Sequence, residues 1–200
     1  MYKKYGQIAE MVHFLIKGSY EGKDNLNFLD LTCGNGFDTL FLSNLAGAKG
    51  KVTALDIQVA AVERTIKLLK ENSEFNNYTI IKDSHEFVEK YITEKIDAAV
   101  YNLGYLPKSN KEIITKPEST ISSINSLLPY LKDSGRIYIT SYITHDKGYE
   151  INKLSDYLTG LNKKEYNVIL IDVLNKDNTP PKLFIIEKNN NTLMTQPYPL

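Results

Sequence analysis

Asp30-Leu31-Thr32-Cys33-Gly34-Asn35-Gly36-Phe37-Asp38 is the stretch on which the reading of this chain turns. The apolar pair Phe28-Leu29 leads into it, and Leu40-Phe41-Leu42 to Leu45-Ala46 continues beyond it as an apolar helical pattern. Strand, glycine turn and helix follow from that order. Gly34 and Gly36 carry no Cβ, so the backbone can turn tightly and a ligand can approach it closely. The helix behind the turn points its unpaired N–H groups at that ligand. Twenty positions past Gly36, Asp56 ends a second strand pattern, Lys51-Val52-Thr53-Ala54-Leu55. An acid there suits hydrogen bonds to a ribose diol. The two features predict a nucleotide-type cofactor site on a doubly wound α/β domain.

The same turn discriminates among cofactors. The dinucleotide fingerprint is G-x-G-x-x-G. Here Thr39 stands where the third glycine belongs, and Asp38 sets a negative charge where a pyrophosphate would lie. Asp30 adds a second acid. Two acids around a glycine turn suit a cationic ligand without phosphate, and S-adenosyl-L-methionine has a sulfonium, an ammonium and a ribose. It is preferred over NAD, and over a plain glycine turn with no ligand. The cofactor-side candidates of this half are Asp30, Cys33, Gly34, Asn35, Gly36, Asp38, Thr39 and Asp56.

Composition narrows the class. Two hundred residues with 42% apolar content suit one globular domain over residues 1–200, with residues 1–26 as an N-terminal helix and linker. Formal net charge is zero, which argues against binding nucleic acid by bulk electrostatics but leaves room for a local basic patch. The single Cys33 excludes an internal disulfide or a cysteine-cluster metal site, and reads as a small packed residue rather than a nucleophile. No His/Asp/Glu cluster has ligand spacing, so no metal is expected. With no signal-like segment and no long apolar run, a cytoplasmic protein without membrane contact is expected.

Along the chain, residues 4–17 predict a helix with Ile8, Val12, Leu15 and Ile16 on one face, and His13 beside it as a partly buried structural histidine. A helix over 58–72 carries the stripe Val59, Val62, Ile66 and Leu69. Gln58 is placed to reach a ribose or adenine, or to cap that helix. A third strand, Tyr78 to Ile81, ends at Asp83-Ser84-His85-Glu86, a capping-box-like start with Asp83 as the cap. Asp83, Ser84 and His85 are cofactor-side candidates, and His85 has an orienting role or is simply an exposed imidazole.

The fourth strand, Ile96 to Tyr101, runs into Asn102-Leu103-Gly104-Tyr105-Leu106-Pro107. Ligands of open α/β sheets bind beyond the carboxyl ends of the strands, so this loop faces the methyl group. Methylating an amine needs a neutral nitrogen held about 3 Å from the methyl carbon and in line with the sulfonium. Asn102 Oδ1 can accept the amine hydrogens, and Tyr105 can stack on a planar base beside Pro107. Asn102 and Tyr105 are thus the catalytic candidates. Thr115-Lys116-Pro117-Glu118 reads as a capped helix start, with Ile121, Ile124, Leu127, Leu128 and Leu131 as the buried stripe. A fifth strand, Arg136 to Tyr142, ends near His145; Tyr142 and His145 are candidates to bind the base or relay the released proton. A helix of about 148–160 and two strand patterns, Tyr166–Asp172 and Lys182–Glu187, close the chain as an antiparallel hairpin. The whole predicts a Rossmann-like class I methyltransferase: a seven-stranded, mostly parallel sheet with helices on both faces.

These motifs resemble the YtqB-like proteins of Gram-positive bacteria, labelled rRNA methylases and tied to tRNA wobble-uridine modification (MnmM). The resemblance rests on Leu31 to Leu42, Asp56-Ile57-Gln58, Ser84-His85-Glu86, Asn102 to Pro107, Tyr142 with His145 and Gly148, and Pro180-Pro181-Leu183 to Glu187-Lys188. It spans nearly the whole chain, and the Asn-Leu-Gly-Tyr-Leu-Pro loop is its most specific part. It implies S-adenosylmethionine-dependent methylation of the aminomethyl group at C5 of uridine 34 in the tRNA anticodon stem-loop, giving 5-methylaminomethyl-2-thiouridine, and a homodimer. The chain departs from the pattern at Lys108-Ser109-Asn110-Lys111, where the family carries glycine and an acid. Other readings are an rRNA or small-molecule methyltransferase, an NAD-linked oxidoreductase and an RNA-binding module without activity.

Overall fold

Strand β1 (Asn27–Asp30) is buried along its length, with Phe28 packed into one core and Leu29 into the other. A strand apolar on both sides belongs in the middle of a sheet covered on both faces. A computed structural model of the chain, which describes residues 8–104, 115–142, 148–175 and 180–189, places it there. The elements run α1 (Ile8–Tyr20), β1, α2 (Phe37–Ala46), β2 (Lys51–Asp56), α3 (Val59–Asn72), β3 (Tyr78–Lys82), β4 (Ile96–Leu103), α4 (Pro117–Leu127), β5 (Leu131–Ser141), α5 (Tyr149–Thr159), β6 (Tyr166–Ile171) and β7 (Lys182–Lys188). Short 3-10 helices occupy His85–Tyr91 and Leu128–Tyr130. The sheet order is β3-β2-β1-β4-β5-β7-β6; β7 is antiparallel to both β5 and β6, and the other pairs are parallel. The predicted class and the closing hairpin are therefore both present.

Helix α1 lays Ile8, Val12, Ile16 and Tyr20 against the face formed by Phe28, Val52, Val100 and Tyr138, beside Leu42 and Ala46 of α2. The opposite face is covered by Ile124 and Leu127 of α4 and by Ile151, Leu154 and Leu158 of α5. The order reverses at β1, whose neighbours are β2 and β4, so the carboxyl ends of β1 and β4 open a crevice between them.

Four local expectations need correction. The buried residues of α3 are Ala61, Thr65 and Leu69, while Val59 is 52% exposed. α3 runs hard against the glycine turn, with the Thr65 Cα 2.9 Å from a Cβ built at Gly36, and this close approach turns the Ala61–Thr65 face inward. Asp83 does not cap the helix after β3; Ser84 does, its hydroxyl accepting from Glu86 N. Thr115 does not cap α4 either, since Lys116 holds that position and makes no side-chain bond there. Strand β5 begins at Leu131, five residues before Arg136, with a register shift opposite Ile96 and Ala98 and Ser134 at φ 61°. Leu128 and Leu131 are thus buried beyond the end of α4 rather than on it.

Candidate active site

The turn between β1 and α2 is held by its own backbone. Leu31 N donates to Val100 O and Cys33 N to Leu55 O, both at 2.9 Å, and Gly36 N closes on Cys33 O at 2.7 Å. Gly34 has φ 53° and Gly36 φ 85°, the left-handed region that glycine enters without strain. At Gly36 a Cβ would stand 2.9 Å from the Thr65 Cα, so its absence serves the approach of α3. Cys33 is buried, and burial raises its thiol well above the ordinary range, which matches a packing role.

Two carboxylates brace this turn from different sides. Asp30 is 1% exposed and lies beneath it, accepting from Thr39 Oγ1 at 2.5 Å and from Thr32 N at 3.3 Å. Burial, and then the nearby charge of Asp38, push its carboxyl up to about 7. Thr39 is fully buried, so Asp30 and Thr39 support the turn from inside. Asp56, at the end of β2, stays half-buried. One of its oxygens accepts from Gly34 N at 3.1 Å and the other from Gln58 N at 2.9 Å. Burial raises its carboxyl while these amides pull it down. The Ile57 amide acts on the same carboxylate, and with three amides on about four acceptor sites, room remains for a further donor. Gln58 occupies the cap position of α3 without a side-chain capping bond. Asp38 sits in the first turn of α2, where the helix dipole favours a negative charge.

On the far side of β2, the Asp83 carboxylate accepts from Ser84 N at 2.8 Å and from Tyr91 Oη at 2.6 Å. The Tyr91 hydrogen bond chiefly holds that carboxyl below the usual range. His85 is not an exposed imidazole. It is 7% exposed, meets the Tyr101 ring edge-on at 5.7 Å and hydrogen-bonds the Leu31 backbone. Burial lowers it to about 4, so a neutral ring braces the first residue after β1.

Asn102 is brought to the same place from β4. Its backbone N–H donates to Thr32 Oγ1 at 2.7 Å, and its side chain is exposed at the strand's carboxyl end. Two residues on, Gly104 donates to Thr115 Oγ1 at 3.0 Å and accepts from Thr115 N at 3.1 Å. The loop is therefore gripped on both sides before it leaves the sheet. Tyr142 follows Ser141, the register partner of Leu103, and is half-buried; burial and then the charge of Asp38 raise its hydroxyl. Tyr105, Pro107 and His145 lie outside the described residues.

Two groups at the site were not singled out as site residues by sequence. His13 of α1 reaches Asp38 Oδ1 with its Nε2 at 2.6 Å, and Thr32 anchors Asn102. Nothing local marks His13, which is twenty-five residues from its partner. Thr32 lies in the quoted turn, but its partner is set only by strand pairing. Among the described residues no group of three His, Cys, Asp or Glu is arranged to hold a metal ion.

Known proteins resemble this arrangement over most of its length. In solved structures, the "putative rRNA-methylase" from Clostridium thermocellum superposes with a TM-score of 0.87 at 36% identity, covering 94% of this chain and 100% of that one. A Streptococcus mutans protein described as a "putative methyltransferase", in complex with SAH, gives 0.81 at 36% identity, covering 94% and 99%. The chloroplast tRNA (mnm(5)s(2)U34)-methyltransferase of Arabidopsis thaliana is 31% identical over 173 residues, 81% of this chain; the match spans 63% of the plant protein's length. The family model described as "Putative rRNA methylase" matches residues 52–187. With more than half its length under that model and its crevice on the S-adenosylmethionine-dependent methyltransferase fold, the chain belongs to the rRNA methylase family so described.

Proposed function

We propose that this protein is a tRNA methyltransferase that moves a methyl group from S-adenosyl-L-methionine to the amine of 5-aminomethyl-(2-thio)uridine at position 34. The product is 5-methylaminomethyl-(2-thio)uridine. The observation that carries the reading is Asn102: an exposed amide at the carboxyl end of β4, tied by its own backbone to the glycine turn. The chloroplast relative's activity points to the same nucleoside.

The residues present fit the cofactor. Asp56 keeps acceptor capacity for a ribose hydroxyl beside the backbone amides it already holds. Asp38 offers a negative charge at the turn, which suits a cationic methionine moiety and disfavours a phosphate. Gly34, Asn35 and Gly36 supply the close backbone, and Gln58, Asp83, Ser84 and His85 border the adenine side. When bound, S-adenosyl-L-methionine supplies an electrophilic methyl group.

The chain's residues then have three tasks. Asn102 Oδ1 accepts an N–H of the substrate amine and aims its lone pair. Tyr142 is assigned to binding the base, a role also proposed for Tyr105, Pro107 and His145, which lie outside the described residues. The amine must be neutral before it reacts, so its proton leaves to solvent or to a group on this rim.

Docking requires the anticodon stem-loop of tRNA. A homodimer in the cytoplasm is also proposed: edge strand β6 exposes Val168, Ile169 and Leu170, an apolar edge that a second copy would cover. A solution mass of one copy by light scattering would remove the dimer. Among the described residues no helix is long and apolar enough to cross a membrane.

The deciding experiment is transfer of labelled methyl to tRNA from a strain lacking this gene, followed by nucleoside mass analysis. A gain of one methyl on 5-aminomethyl-2-thiouridine is expected. Transfer to rRNA fragments or small amines instead would replace the substrate and keep the class.

A further inference from the structure

Helix α1 reaches the glycine turn through one side chain. His13 Nε2 lies 2.6 Å from Asp38 Oδ1, and the imidazole stacks on Phe41 with 3.9 Å between ring centroids and 7° between planes. Asp38 and Phe41 are three positions apart on α2, so one face of that helix holds the ring by two independent contacts. The helix carrying His13 is itself fixed, since the adjacent Val12 and then Ile16 are buried against the sheet. Neither partner is fully enclosed: the side chains of His13 and Asp38 are 29% and 22% exposed.

The charged and titratable neighbours of this pair define what it can do. Asp38 acts electrostatically on Asp30, beneath the turn, and on Tyr142, at the end of β5. It therefore lies near both the turn and the end of β5, while His13 approaches it from α1. Left alone, a carboxylate in the first turn of a helix samples several rotamers. With Oδ1 engaged by a stacked imidazole, it is held in one of them, and among the described residues Oδ2 has no side-chain partner, so it can accept from a donor in the crevice. A partly exposed side-chain contact of this kind adds little to folding stability, so the effect belongs to ligand binding.

We propose that His13 is a positioning residue of the methyl-donor site: it fixes the Asp38 carboxylate for the cationic methionine moiety and makes α1 part of that site. This rests on the S-adenosylmethionine reading above. The imidazole itself touches no reacting atom; it acts through Asp38.

The test compares wild type, His13→Ala, His13→Gln, Asp38→Asn and the double variant H13A/D38N. Calorimetry gives Kd for S-adenosyl-L-methionine and for S-adenosyl-L-homocysteine, urea melts give stability, and methyl transfer gives KM and kcat. H13A should raise both Kd values about ten-fold, the scale of one hydrogen bond to a charged group. KM for the donor should rise in step, with kcat at saturation and the urea midpoint nearly unchanged. Gln carries an N–H at a similar reach, so H13Q should recover much of the loss. In the D38N background, H13A should cost nothing further. Wild-type binding that H13A leaves within two-fold overturns the assignment alone. So does an undiminished H13A effect in D38N, or a fall in kcat with KM unchanged. Failure of the wild-type protein to bind either ligand overturns the donor-site reading, and this assignment with it.

Discussion

The backbone N–H of Asn102 donates to the Thr32 hydroxyl at 2.7 Å. The loop proposed to meet the substrate and the turn proposed to cradle the cofactor are thereby one hydrogen-bonded unit. A shift in either displaces the other, and displacements of an ångström matter greatly when a nitrogen must be in line with a methyl group.

Thr32→Val keeps the shape and removes the acceptor. It should cost ~1 kcal/mol of stability, the scale of one hydrogen bond, and on the order of ten-fold in kcat. Urea melts and steady-state kinetics measure the two together. A variant as active as wild type would show that this bond does not position Asn102.

Asn102→Ala removes the amide and leaves the backbone bond in place. Donor affinity should stay within about two-fold, while turnover falls roughly a hundred-fold, the range found when an orienting or charge-stabilising group is lost. Binding by calorimetry and single-turnover methyl transfer separate these effects. Near-normal turnover would remove Asn102 from the chemistry.

Two glycines should respond oppositely to alanine. At Gly36, with φ 85° and the Thr65 Cα 2.9 Å from a built Cβ, alanine should destabilise by ~1–3 kcal/mol and weaken donor binding. At Gly18, in α1, nothing lies within 4 Å of that Cβ, and alanine should stabilise by ~0.5–1 kcal/mol. Urea midpoints of the pair check the sign directly.

Two buried groups tilt stability with pH in opposite directions. Burial lowers His85 from 6.5 to about 4. Between those values the unfolded chain holds more protons, so this contribution grows as pH rises and is lost as pH falls. Burial and Asp38 raise Asp30 from 3.8 to about 7. There the folded state holds more protons, so this contribution is lost as pH rises through that window. The slopes oppose each other across pH 4 to 6.5. Asp30→Asn keeps an acceptor for Thr39 and deletes one slope. Its stability should climb by ~3 kcal/mol over that range while wild type stays flatter. A D30N profile parallel to wild type, measured by urea melts at several pH values, would contradict the cause assigned to Asp30.

What sequence could disclose was whatever is encoded locally. The strand, glycine turn, helix and distant acid follow from glycine geometry and apolar periodicity, and the parallel order with its closing hairpin follows from alternation. The position of Asn102 near a strand's carboxyl end was legible because it is a consequence of the fold class. Most of the misses share one cause, partners far away in sequence. Thr115 reads as a cap because Glu118 stands three positions on, but Gly104 offers its hydroxyl a better bond. For His85 the polar flanks leave an orienting ring and an exposed one equally open, and the ring is in fact drawn inward to Leu31 and Tyr101. Val59 begins an acceptable helical stripe, but α3 turns Ala61, Thr65 and Leu69 inward instead, with Thr65 against the glycine turn. His13 reads as partly buried, which it is, but nothing local points to its partner Asp38.

Strand β7 fills the place between β5 and β6 although it follows both in the chain. Synthesis delivers the amino-terminal elements first. Until Lys182–Lys188 has emerged, β5 has one open edge and β6, with Val168 to Leu170 uncovered, has no partner to dock on. The glycine turn and Asp56 belong to strands that can pair early, whereas the rim at Tyr142 waits for the latest of the seven strands. A nascent chain thus acquires a half that can hold a nucleoside before it acquires a cleft, and its interval of greatest exposure to aggregation falls between those two events.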